Sequence, residues 1–177
     1  MFLLGHIGIG SRLLPGGLRA PRLWRWMALG CLLPDLLDKP LWLAAPKLFA
    51  GHPGPIAMLA GTRLFGHTLL LVGLATVVAR VLRGPRLRAV SLGALTHLLL
   101  DLVGDLVSGP PANWPGWLLW PAFGWRFPTG DGRDLAYHLR TVAEHRVYIV
   151  GELVGGAILL IDFIRGRLRR DSGEVMH

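Results

Sequence analysis

The sequence predicts an all-α fold, a polytopic membrane helical bundle of about five apolar helices. Three observations lead there. Hydrophobic residues make up 52% of the 177 and charged residues only 17%, against about 25% charged in an ordinary soluble domain. The mean hydropathy is +0.47. Apolar runs at residues 64–82, 89–107 and 147–164 approach the roughly 20 residues that a helix needs to cross a bilayer. The arginines cluster between and after these runs, as in a chain sorted by the positive-inside rule. The length suits one domain, read as a helical membrane domain over 1–165 and a basic cytoplasmic tail over 166–177. The chain has no internal repeat or low-complexity segment.

The elements follow in order. Residues 2–14 are apolar and hold His6. They are too short to span comfortably, so a tilted or partly inserted helix is expected. No positive charge precedes them, unlike a signal peptide. A Pro/Gly turn follows with Arg19, Arg22 and Arg25. The run 26–45 contains Pro34, Asp35, Asp38, Lys39 and Pro40. Pro34 should kink this helix, and a kink beside carboxylates is tolerated in a membrane where it lines a cavity in the protein. Residues 46–62, rich in Pro and Gly, read as a loop. The run 64–82 has His67 near its start, and a basic turn with Arg83, Arg86 and Arg88 leads to 89–107, which carries His97, Asp101 and Asp105. Asp105 reads as a solvated helix end. Residues 108–146 form a long loop with Trp114, Trp117, Trp120 and Trp125, which suit a membrane–water interface. The last run, 147–164, includes Glu152, and a basic tail follows it.

The formal net charge is +8. In a soluble protein such a charge points to nucleic acid. Here no basic helix or aromatic platform accompanies it, so no nucleic acid is expected as a partner. Loops facing anionic lipid fit better. The single cysteine, Cys31, excludes an intrachain disulfide and a Cys-rich zinc site and reads as a small packing residue. With the arginine-rich pieces 12–25, 80–88 and 165–170 in the cytoplasm, five segments alternate consistently. His6, Asp35, Asp38, His67, His97, Asp101 and Glu152 then come to a similar depth toward the extracytoplasmic side.

His97 and Asp101 are four residues apart in an apolar helix and so share a face. An imidazole and a carboxylate stacked this way can hold one metal ion. The bland alternative is a hydrogen-bonded pair that supports helix packing. An unpaired carboxylate in such surroundings is costly, so a partner is required either way. Asp38 can share the face of Asp35 or pair with Lys39 or Arg63. Arg63 can clamp a phosphate, which guanidinium matches bidentately, or anchor at the interface.

The early histidine His6, the Gly-x-x-x-Pro-Asp-x-x-Asp segment Gly30 to Asp38, the Arg-x-x-x-His-Thr segment Arg63 to Thr68, the Thr-His-x-x-x-Asp segment Thr96 to Asp101, and Trp120-Pro121 together resemble the YdjM-like family of membrane-bound, metal-dependent hydrolases. The resemblance covers roughly residues 1–125. That family in turn looks distantly similar to zinc-dependent phospholipase C and the P1-type nucleases. The resemblance implies metal ligation by Asp35, His67, His97 and Asp101, with His6 completing a first or second metal position. A His/Asp set without cysteine suits Zn²⁺, with Mn²⁺ or Fe²⁺ as alternatives. Asp35 or Asp38 would be the general base and Arg63 a phosphate clamp. The implied activity is hydrolysis of a lipid-like phosphoester at the outer face of a prokaryotic plasma membrane, with membrane lipid as partner. Two other classes stand beside it: a non-catalytic metal-binding membrane scaffold or regulator, and a small ion-coupled transporter.

Overall fold

The computed structural model describes residues 3–13, 21–52, 54, 59, 61–109, 116–125, 127, 136, 140 and 143–171. These residues include five α-helices and no strand. They are α1 (Leu3–Leu13), α2 (Pro21–Leu48), α3 (Leu69–Val81), α4 (Pro85–Ser108) and α5 (Arg146–Asp171), with a 3₁₀ turn at Phe65–His67 before α3. The all-α expectation is met.

The centre of the bundle is α4, which packs against each of the other four helices. Its closest partner is α2, because the two cross at glycines. A Cβ on Gly30 would overlap the Val90 carbonyl, and one on Gly93 would overlap that of Met27. Small residues at a crossing let the backbones approach closely. The same device joins α1 to α5, where Gly8 of one faces Gly155 of the other. Ile7, Leu23, Met27, Ala28, Cys31 and Ala89 form a core between α1, α2 and α4. As expected of a packing residue, Cys31 is fully buried.

Two helices are long and apolar enough to cross a membrane, Pro85–Ser108 and Arg146–Leu168. The expectation of five such segments is not carried by the helices observed. With 11 and 13 residues, α1 and α3 reach only about 17 and 20 Å at about 1.5 Å per residue, short of a core of about 30 Å. The 28 residues of α2 are long enough, but they include Arg22, Arg25, Asp35, Asp38, Lys39 and Lys47. This helix runs continuously through Pro34, Pro40 and Pro46 to Leu48, past the loop boundary expected at residue 46. The last helix likewise continues beyond 165 to Asp171, into the stretch read as a tail.

The aromatic loop is only partly the interface belt expected. Trp125 is exposed, but Trp117 is buried with Val72, Ala94 and Leu98. Leu69 donates its amide to the Leu118 carbonyl at 2.9 Å, which ties this loop to the start of α3. Trp114 lies outside the described residues.

Candidate metal centre

The loop before α3 and the middle of α2 build one half of the site. Asp38, buried on α2, accepts hydrogen bonds from the Leu64 amide (2.7 Å) and the His67 amide (3.2 Å) at Oδ2, and from the Gly66 amide (2.8 Å) at Oδ1. Gly66 permits this approach, since a Cβ there would press on the Pro34 carbonyl. The same Oδ2 lies 2.7 Å from His67 Nδ1. A carboxylate already taking amide donors is an acceptor, so Nδ1 carries the proton and Nε2 presents a lone pair. The expectation of Asp38 as a general base therefore needs correction. Its oxygens are occupied by four donors, and its work is to shape the turn and orient His67.

The other half comes from α4. His97 Nδ1 lies 2.6 Å from the main-chain carbonyl of Cys31. A carbonyl only accepts, so this Nδ1 also carries the proton. The contact depends on the close glycine crossing of α2 and α4. It leaves His97 Nε2 as a second lone pair, 3.1 Å from His67 Nε2. Two lone pairs cannot hydrogen-bond to each other, so the arrangement calls for a cation between or beside them.

Carboxylates surround this point. Asp101 Oδ2 is 3.5 Å from His67 Nε2 and 3.8 Å from His97 Nε2, and Asp35 Oδ1 is 3.6 Å from His67 Nε2. The other oxygen of Asp35 pairs with Lys39 at 2.6 Å. His6 stacks on His97 with ring centroids 3.8 Å apart. Its Nε2 is 3.4 Å from Asp101 Oδ1, and its Nδ1 has no hydrogen-bond partner although the residue is buried. Such orphans are rare in native interiors. Donor atoms of His6, His97 and Asp101 fall within 4.8 Å of one another, as do those of Asp35, His67 and His97. Two nitrogens about 2.0–2.1 Å from one zinc ion at about 90–110° stand about 2.8–3.4 Å apart. The observed 3.1 Å lies in that interval, and the donor chemistry fits a divalent ion.

Arg63 closes one side. Its Nε is 3.1 Å from Asp101 Oδ2, its guanidinium reaches Asp105 Oδ2 at 2.6 Å, and its plane lies over Trp117 at 4.8 Å. Burial works against its charge, but the Asp101 and Asp105 carboxylates outweigh that and raise its pKa further. Arg63 is thus neither an interface anchor nor a free clamp. It is a fixed counter-charge to Asp101 and Asp105.

Asp105 is buried and paired rather than solvated. Its spacing, four residues beyond Asp101 and eight beyond His97, places all three on one helix stripe, a signal available in the sequence. Glu152 lies outside the cluster. It accepts from the Leu4 and Gly5 amides at 3.0 and 2.9 Å and so caps the start of α1. His145 is exposed at the entry to α5, and His138 lies outside the described residues. The Cys31 carbonyl is the one site group that no side-chain pattern signals.

No family model matches this chain, and comparison with curated proteins and with solved structures gives no match.

Proposed function

We propose that this chain is a membrane-embedded, metal-dependent hydrolase of phosphoesters, with phospholipid or lipid-linked phosphate as substrate class. The observation that carries the reading is the convergence of two proton-committed histidines, their Nε2 atoms 3.1 Å apart, with Asp101, Asp35 and an unsatisfied His6 around them. The motif resemblance to YdjM-like hydrolases supports the same chemistry.

His67, His97 and Asp101 would hold the ion, with His6 and Asp35 beside them. Zn²⁺ suits this donor set best, with Mn²⁺ or Fe²⁺ as alternatives. When bound, such an ion acidifies water and polarises a phosphoryl oxygen. Asp38 and the Cys31 carbonyl keep the two imidazoles in the required tautomer. Asp35, half-buried and 3.6 Å from His67 Nε2, is the carboxylate placed to take a proton from attacking water. Arg63, held by Asp101 and Asp105, offers positive charge to the phosphate.

A membrane setting is supported by the outer faces of the helices. Leu70, Leu74, Val77 and Val81 of α3 and Leu153, Leu160, Phe163 and Ile164 of α5 are exposed. Soluble monomers rarely present contiguous apolar faces of this extent. With the basic turns in the cytoplasm, the cluster lies in the extracytoplasmic half of α4.

The test is hydrolysis of a chromogenic phosphodiester and of phospholipid in mixed micelles by the detergent-purified chain. Activity should disappear with chelator, return with one divalent metal, and be absent in His97→Ala protein of normal helicity. Full turnover in that variant would overturn the reading. Metal retention with no turnover on any phosphoester would favour the scaffold instead.

A further inference from the structure

The end of the bundle away from the metal cluster carries a second feature. Where the start of α2 meets the start of α4, Arg22, Leu23, Arg25, Pro85 and Arg86 line an open cleft of about 330 Å³. It lies eleven residues up α4 from His97, about 16 Å along the axis, so it is no part of the cluster described above. Trp26 stands between two of the cations. The Arg25 guanidinium is 6.0 Å from its ring centroid and that of Arg86 is 5.6 Å away. Contacts of this length hold guanidinium groups by cation–π attraction. Among the described residues no carboxylate pairs with Arg22, Arg25 or Arg86, whereas Arg12, Arg63 and Lys39 each have an acidic partner. Three unneutralised cations gathered at one cleft repel one another, an arrangement that an anion relieves. Gly84 gives α4 no side-chain cap, and Pro85 opens the helix, so the positive end of the α4 dipole faces the same cleft.

The lining is not purely polar. Leu23 forms part of the wall, and Trp24, Leu29 and Leu87 are exposed on the same two helices. Cation and apolar surface side by side match a phosphate group joined to acyl chains better than a free phosphate. We propose that this cleft binds the phosphate of an anionic phospholipid headgroup, with Arg22, Arg25 and Arg86 as its counter-charges. Basic pockets between helices at the cytoplasmic face suit such headgroups. The proposal shares the membrane reading given above but needs neither the metal nor any turnover.

Native mass spectrometry of the full chain in uncharged detergent tests it, with dioleoyl phosphatidylglycerol, dioleoyl phosphatidylcholine and glycerol phosphate as probes. Wild type should hold phosphatidylglycerol at least about tenfold more tightly than phosphatidylcholine. Arg22→Gln/Arg86→Gln should reduce that preference to under about threefold. Arg165→Gln/Arg167→Gln, which removes equal charge from the exposed end of α5, should leave it unchanged. Circular dichroism confirms that each variant is folded, and Arg86→Gln alone serves if the double variant is not, with at least a threefold reduction expected. No preference in wild type, or the same loss in the α5 variant, would overturn the site. Glycerol phosphate binding as tightly as the lipid, and lost with Arg22 and Arg86, would overturn the lipid assignment in favour of a soluble phosphate.

Discussion

His67 Nε2 and His97 Nε2 face each other at 3.1 Å while both Nδ1 atoms are engaged, one by the Asp38 carboxylate and one by the Cys31 carbonyl. Only a proton or a metal cation satisfies that geometry. A shared proton would serve the two histidines, but it would leave His6 Nδ1 buried without a partner. We propose that a metal ion serves these groups together, since donor atoms of His6, His97 and Asp101, and of Asp35, His67 and His97, lie within 4.8 Å of one another. The site is therefore built by two second contacts that fix ring orientation before any ligand arrives, an arrangement common behind metal-binding histidines.

Asp38→Asn tests this outer layer. The amide keeps the shape but brings an N–H₂ against N–H donors and loses the charge that holds His67 in its tautomer. Metal affinity should fall about 10–100-fold, measured by competition with a chromogenic chelator. An unchanged affinity would mean that the turn 64–67 holds His67 without Asp38.

Arg63 and Asp105 should behave as one unit. Removing the guanidinium leaves two carboxylates buried without it, and breaking such a pair costs about 3 kcal/mol. Arg63→Gln and Asp105→Asn should each destabilise the chain. The double variant should cost less than their sum, with a coupling of about 1–3 kcal/mol, read from denaturation midpoints. Strict additivity would show that the 2.6 Å contact contributes nothing.

The helix crossing is a second point of failure far from any ligand. Gly93→Ala places a methyl group against the Met27 carbonyl and the Cys31 amide. The helices must part, at a cost of about 1–3 kcal/mol for overpacking. His97 then moves off the Cys31 carbonyl. Both the unfolding temperature and the metal content should drop. Retained metal at wild-type stability would show that the crossing has slack.

Glu152→Gln separates the cap from the site. Two charge-assisted bonds to the Leu4 and Gly5 amides weaken, which should cost about 1 kcal/mol, as for loss of other helix caps. Metal content should remain as in wild type. Loss of metal in this variant would place Glu152 within the site.

Much of this site could be read from one-dimensional spacing. His97 and Asp101 are one turn apart, and any helix brings them to one face. Grouping Asp35, His67 and His6 with them rested on depth along five apolar runs, and the same argument drew in Glu152, which instead caps α1. Depth did not choose between Asp35 and Asp38, because three residues on a helix separate them by about 300° or, the short way, 60°, and both lie toward the same side. Only the loop at 64–67, whose amides wrap Asp38, distinguishes their roles. The Arg63–Asp105 pair spans 42 residues and the Glu152 cap 148, distances over which residue type alone names no partner. The helix ends were less legible than the site. Pro46 read as the start of a loop, yet α2 runs through it to Leu48. Among the described residues two helices are long and apolar enough to cross a bilayer, and short apolar runs look alike in sequence whether they pack within a bundle or traverse lipid.

The most direct test of the central claim is elemental analysis of detergent-purified wild type and of His67→Ala/His97→Ala protein with matching helicity. One divalent metal per chain or near it, lost in the double variant, is the predicted result. No metal in wild type after reconstitution with Zn²⁺, Mn²⁺ or Fe²⁺, or equal metal in both proteins, would contradict it.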